Sequence, residues 1–136
     1  MKKLSMLLIS CFIVSGFVGC VAAQSYSHAI VLKPKEYSEI EVDCSQGDLL
    51  KVSARSADES YFYAEILSPF GQKVFSEGSD EVIVGEYKVP ASGVYTVRIA
   101  NYALFSDVTV NYTISRTYKV LFIDRTEALR LPGSIT

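Results

Sequence analysis

Residues 79–115 read SDEVIVGEYKVPASGVYTVRIANYALFSDVTVNYTIS, three extended segments in succession. Pro90-Ala91-Ser92-Gly93 separates the first two, and a loop over 101–107 separates the second two. In the middle segment Tyr95, Val97 and Ile99 fall on one side, with Val94, Thr96, Arg98 and Ala100 on the other. Successive side chains of a strand point to opposite faces, so the pattern predicts one row in the core and one outside. The last segment repeats it, with Val108, Val110, Tyr112 and Ile114 against Thr109, Asn111 and Thr113. Gly85 interrupts the first segment, as a glycine at a bulge does.

Upstream, short apolar-alternating runs cover 28–32, 37–44, 49–55, 61–68 and 72–76, the last followed by a polar loop over 77–80. Ile40, Val42 and Cys44 share a side opposite Glu39, Glu41 and Asp43, and Phe62, Ala64 and Ile66 share one opposite Tyr61, Tyr63 and Glu65. Downstream, 117–123 reads as a final strand and 124–136 as a tail, in which 127–131 is too short for an independent helix. Turn residues recur about every ten positions and no helical period competes. The fold expected over 24–123 is therefore all-β, an antiparallel β-sandwich of jelly-roll type with about eight to nine strands.

Lys2 and Lys3 precede LSMLLISCFIVSGFVGCVAA, which is uncharged from Leu4 to Ala23. Positive residues before an apolar run keep the N-terminus inside and send the rest outward, so 1–23 reads as a targeting segment. Three fates fit it. Phe17-Val18-Gly19-Cys20 resembles a lipobox, making Cys20 the candidate lipidation site of a surface or envelope lipoprotein. Val21-Ala22-Ala23 before Gln24 suits ordinary signal-peptide cleavage and secretion. The run is also long enough to stay as a membrane anchor. Each places the domain outside the cytoplasm.

The formal charge of the 136 residues is −2, without a basic stripe, which argues against nucleic acid as partner. Of the three cysteines only Cys44 lies in the exported part, so it has no disulfide partner there and reads as a buried thiol. His28 is the sole histidine, and no CxxC, HExxH, GxSxG, DxDxDG or phosphate-loop spacing is present. No catalytic residue, metal ligand or cofactor is assigned. The acidic row Glu39, Glu41 and Asp43 reads as a solvated strand face that discourages edge pairing.

Nine tyrosines and no tryptophan bias the aromatic content. Tyr61 and Tyr63 share an outward row and are the candidate contact residues, for a protein partner or for a sugar ring. Asn111-Tyr112-Thr113 is a glycosylation sequon on an outward row, so Asn111 is the candidate acceptor.

Cys44-Ser45-Gln46-Gly47-Asp48, then Ser68-Pro69-Phe70-Gly71, then Gly93-Val94-Tyr95 with Asn101 together resemble the GOLD (Golgi dynamics) domain, the lumenal β-sandwich of the emp24/gp25L family. Cys44 matches that family's first cysteine and Arg98 stands at the second, so the family disulfide is not implied here. The Gly-x-Tyr strand is also similar to that of pre-peptidase C-terminal domains. Both resemblances imply an extracytoplasmic binding or assembly module. The function expected is non-enzymatic protein interaction at the cell surface or envelope; the alternative is an accessory carbohydrate-binding module.

Overall fold

The computed structural model describes residues 2–3, 6–14 and 17–122, with side chains over 22–118. The strands are β1 (Lys2–Lys3), β2 (Met6–Val14), β3 (Phe17–Leu32), β4 (Tyr37–Cys44), β5 (Leu49–Ser56), β6 (Phe62–Leu67), β7 (Lys73–Ser79), β8 (Val82–Lys88), β9 (Gly93–Ala100) and β10 (Val108–Phe122). One sheet has the order β1-β4-β9-β6-β7 and the other β2-β3-β10-β5-β8. The eight strands β3–β10 pair antiparallel throughout, and only the two-residue β1 lies parallel to its neighbour β4. Among the described residues no helix is long and apolar enough to cross a membrane.

The period-two rows decide which face meets which. Ile40, Val97, Ile99, Phe62 and Ile66 from the first sheet are fully buried, and so are Leu50, Val52, Ile83, Val110 and Ile114 from the second. Tyr95 joins them and donates its hydroxyl proton to Ala91 O at 2.8 Å, which settles the one polar atom it carries inward. Two inner faces of branched side chains close into one dry layer, as in any aligned sandwich. Truncating a ring such as Phe62 in that layer removes about 3–5 kcal/mol.

Four segments differ from the sequence expectation. The strands expected at 108–114 and 117–123 are one continuous β10, because residues 115–117 stay paired with β3 on one side and β5 on the other, and Arg116 finds a partner in Asp48. The loop expected over 77–80 shrinks to Asp80 and Glu81, since β7 continues to Ser79 opposite Phe62. Gly85 sits in regular register opposite Val52, not in a bulge; a Cβ there would run into the Phe75 ring. The irregularity falls instead between Ile66 and Leu67. The first strand, expected over 28–32, begins at Phe17, and Met6–Val14 pairs with its early part as a hairpin. The tail 124–136 lies outside the described residues.

Connections gather at two ends. Loops 33–36, 57–61, 80–81 and 101–107 share one end, where Ala100 faces both Tyr37 and Tyr63 and Leu32 faces Val108. Loops 45–48, 68–72 and 89–92 share the other, where Cys44 faces Gly93 and Leu49 faces Lys88 and Thr117.

Candidate functional site

β6 turns Phe62, Ala64 and Ile66 into the core and Tyr63 and Glu65 to the outer face of the first sheet. Tyr61, half-exposed, precedes β6 and meets Tyr63 edge-on at 5.4 Å between ring centroids. Tyr63 in turn tilts against Tyr102 of the 101–107 loop at 4.9 Å. The floor of this row is Gly78, directly opposite Tyr63 on β7. A Cβ there would lie 2.7 Å from Tyr63 and 2.8 Å from Tyr61, so the bare backbone is what lets both rings settle. The structure thus joins Tyr61 and Tyr63 into one contact and adds Tyr102, which no strand period could assign.

Beside the tyrosines a row of charges crosses the same face. Glu39, Arg98 and Glu65 lie directly opposite one another on β4, β9 and β6. Arg98 donates Nε and one terminal nitrogen to Glu39 Oε2 at 2.9 and 2.8 Å, and the other terminal nitrogen to Glu65 Oε1 at 3.5 Å. Burial works against the guanidinium charge, and the Glu39 carboxylate outweighs it, lifting the Arg98 pKa above its ordinary value. Tyr37 stacks on the guanidinium at 4.9 Å. Glu65 is only 1 % exposed although it points outward. Its oxygens accept from Tyr102 Oη at 3.1 Å and Ser76 Oγ at 3.4 Å, and Lys73 Nζ lies 3.0 Å away. A buried carboxylate with this many donors is satisfied and locks Tyr102 over the sheet. Glu39 is therefore an ion-pair partner and not only a solvated acid.

The loop carrying Tyr102 is tied down from beneath. Asn101, 1 % exposed, donates its amide to Leu32 O at 3.0 Å and Ser106 O at 2.7 Å, and its Oδ1 accepts from Ala103 N at 3.0 Å. Its own N–H reaches Glu36 O at 2.8 Å. The neighbouring 57–61 loop is fixed by Asp58, whose carboxylate accepts from Ser56 Oγ, Ser60 N and Thr109 N. Burial, the largest single influence, pushes the Asp58 pKa up, and those hydrogen bonds together outweigh it, leaving it below the usual aspartate value. Lys35 and Glu59, the described non-glycine residues with positive φ (66° and 61°), sit in turns at this same end. Held, sparsely populated backbone conformations of this kind concentrate at functional loops.

The remaining sequence candidates lie elsewhere. Asn111 is exposed on the outer face of the second sheet, in a shallow depression of ≈ 520 Å³ that also borders Ser27, His28, Arg55 and Thr113. His28 stacks on Tyr26 at 5.9 Å and meets Tyr112 edge-on at 6.3 Å, while Ser27 Oγ and Thr113 Oγ1 bond at 2.8 Å. Cys44 is buried and unpaired. The side chain of Cys20 lies outside the described residues. Among the described residues no group of three or more His, Cys, Asp or Glu is placed to hold a metal ion.

The architecture has solved relatives in shape. The chain is similar to PliG of Aeromonas hydrophila, a periplasmic lysozyme inhibitor of g-type lysozyme, at TM-score 0.56 and 16 % identity, covering 69 % of this chain and 87 % of that one. PliG of Salmonella Typhimurium gives TM-score 0.43 at 22 % identity, covering 66 % and 86 % of the two chains. A mutant of the Escherichia coli PliG gives 0.41 at 17 %, again over 66 % and 86 %. No protein-family model matches the chain, and no curated protein matches it. At 16 % identity the likeness to the Aeromonas hydrophila protein is one of β-sandwich fold alone.

Proposed function

We propose that this chain is a non-enzymatic, extracytoplasmic β-sandwich that binds a protein, with a g-type lysozyme as the partner to try first. The observation that carries the reading is the shared sandwich with the Aeromonas hydrophila inhibitor, which extends over most of that chain. Two features of this molecule support it. Its most elaborate outer surface is an aromatic row fixed by a satisfied ion network, and tyrosine and arginine are the residues that dominate protein interfaces. Residues 1–23 carry a targeting pattern, which fits a protein of the envelope or cell surface, tethered through Cys20 or released after Ala23. The GOLD-like motifs belong to the same class of module.

No observation favours the sugar-binding alternative. Tyr61 and Tyr63 cross at 73° and Tyr63 and Tyr102 at 51°, so the ring planes are not coplanar and offer no flat platform. The test is lysis of a peptidoglycan suspension by a g-type lysozyme in the presence of the purified protein. Loss of lytic activity that rises with the amount of protein added, together with a calorimetric binding signal, is expected. Undiminished lysis and no heat of binding would refute the assignment.

A further inference from the structure

We propose that the partner docks on the end of the sandwich formed by loops 33–36, 57–61, 80–81 and 101–107, with Leu104 and Phe105 as the inserted plug. We assign the partner an apolar recess with a basic flank. The inference rests on the protein-binding reading above and adds to it the surface and its charge.

Phe105 is 93 % exposed and Leu104 61 %. Scattered exposed hydrophobics need no explanation, and Phe70, equally exposed at the opposite end, is of that kind: it stands alone on a short turn. Phe105 differs in three respects. It adjoins Leu104 and shares its end with the exposed rings of Tyr61 and Tyr102, so the apolar surface is grouped. Its loop is not free to fold the tip inward, because Asn101 clamps both of the loop's ends to the body through Leu32 O and Ser106 O. An apolar tip held in water on a tied loop is pre-organised, and association then loses little loop entropy.

The third respect is charge. Asp58, Glu59, Asp80 and Glu81 are exposed on one side of the 101–107 loop and Asp107 on the loop itself, while the 33–36 loop on its other side exposes Lys33, Lys35 and Glu36. At the opposite end the loops expose no acid, since Asp48 is buried and paired with Arg116. The loops carrying the acids are stitched together, Ser56 N to Glu81 O and Ala57 N to Thr109 O, both at 2.8 Å. An apolar tip with an acidic flank on its 57–61 and 80–81 side is complementary to an apolar recess with a basic flank, and such charge pairing mainly raises the association rate. The chain direction agrees. β3 pairs with β10 from Val18, opposite Phe122, so its early part runs past the opposite end, and a chain tethered through Cys20 presents the 101–107 end outward.

Binding to a g-type lysozyme, measured by calorimetry at low and high salt, tests the proposal with four proteins: wild type, Leu104→Ser/Phe105→Ser, Asp80→Lys/Asp107→Lys, and Phe70→Ser. Every substitution is at an exposed position, and equal thermal unfolding confirms that each variant is folded. The expected result is at least about a tenfold loss for the plug variant. The charge variant should bind more weakly and lose salt sensitivity, with no change for Phe70→Ser. If wild type binds and the plug variant binds equally well, the docking end is wrong while the protein-binding reading stands. If wild type does not bind, the reading and the inference fall together.

Discussion

Glu65 shows what a single position can hide. Alternation places it correctly on the outer face beside Tyr63, and that much is readable from residues 61–66. Its burial is not, because the cover comes from Tyr102 in a loop, Lys73 on β7 and Arg98 on β9, all distant in sequence. The same holds for Glu39, which the acidic row 39, 41 and 43 suggested was merely solvated and which Arg98 claims instead. Cys44 is the opposite case, placed inward by its row and found there. Burial first, then the Asp48 charge, pushes its thiol from 9.0 up to about 12, with Arg116 partly opposing. Below pH 9 folded and unfolded thiols are both protonated and contribute nothing to pH dependence. Between 9.0 and about 12 the unfolded chain ionises first, so stability is lost as pH rises through that window. Native protein should therefore resist iodoacetamide at pH 8 and react fully once unfolded in guanidinium; rapid alkylation of the native thiol would contradict the buried placement.

At the scale of elements, β10 is the strand that sequence reading split and the fold kept whole. Residues 115–117 lack an apolar side chain, and periodicity alone sees a break there. Pairing with β3 and β5 carries the strand through, and a side-chain pair with another strand's turn satisfies its polar break: Arg116 Nε lies 2.6 Å from Asp48 Oδ2, an oxygen that also accepts from Ser45 N at 2.7 Å. Arg116 further lies under Tyr118 at 4.3 Å. Asp48 is 4 % exposed, so removing its cation leaves a buried charge behind. Arg116→Met should destabilise the protein by about 3 kcal/mol in urea unfolding. Asp48→Asn combined with Arg116→Met should recover part of that loss, since no charge is then stranded. Equal midpoints for wild type and Arg116→Met would show that the pair does not hold β10. Gly85 makes a related point, because the glycine suits the neighbouring Phe75 ring and not a bulge, and only packing between the sheets reveals it.

On the scale of the whole molecule, the two buried rows from 95–99 and 108–114 define a sandwich, and the likeness to the Aeromonas hydrophila inhibitor is a likeness of that frame. The frame was legible because half-buried strands write their exposure into alternate residues. The polarity between its ends was not, because loops carry no period: the acids, the Asn101 clamp and the exposed Leu104-Phe105 tip come together only through topology. Function in this account lies in that difference between ends, one tied, acidic and aromatic, the other neutral and adjoining the N-terminal segment. Amide hydrogen exchange on the protein, alone and mixed with a g-type lysozyme, tests this most directly. Exchange should slow on mixing in loops 57–61 and 101–107, with loops 45–48, 68–72 and 89–92 unchanged. Protection confined to the latter three, or none anywhere, would contradict it.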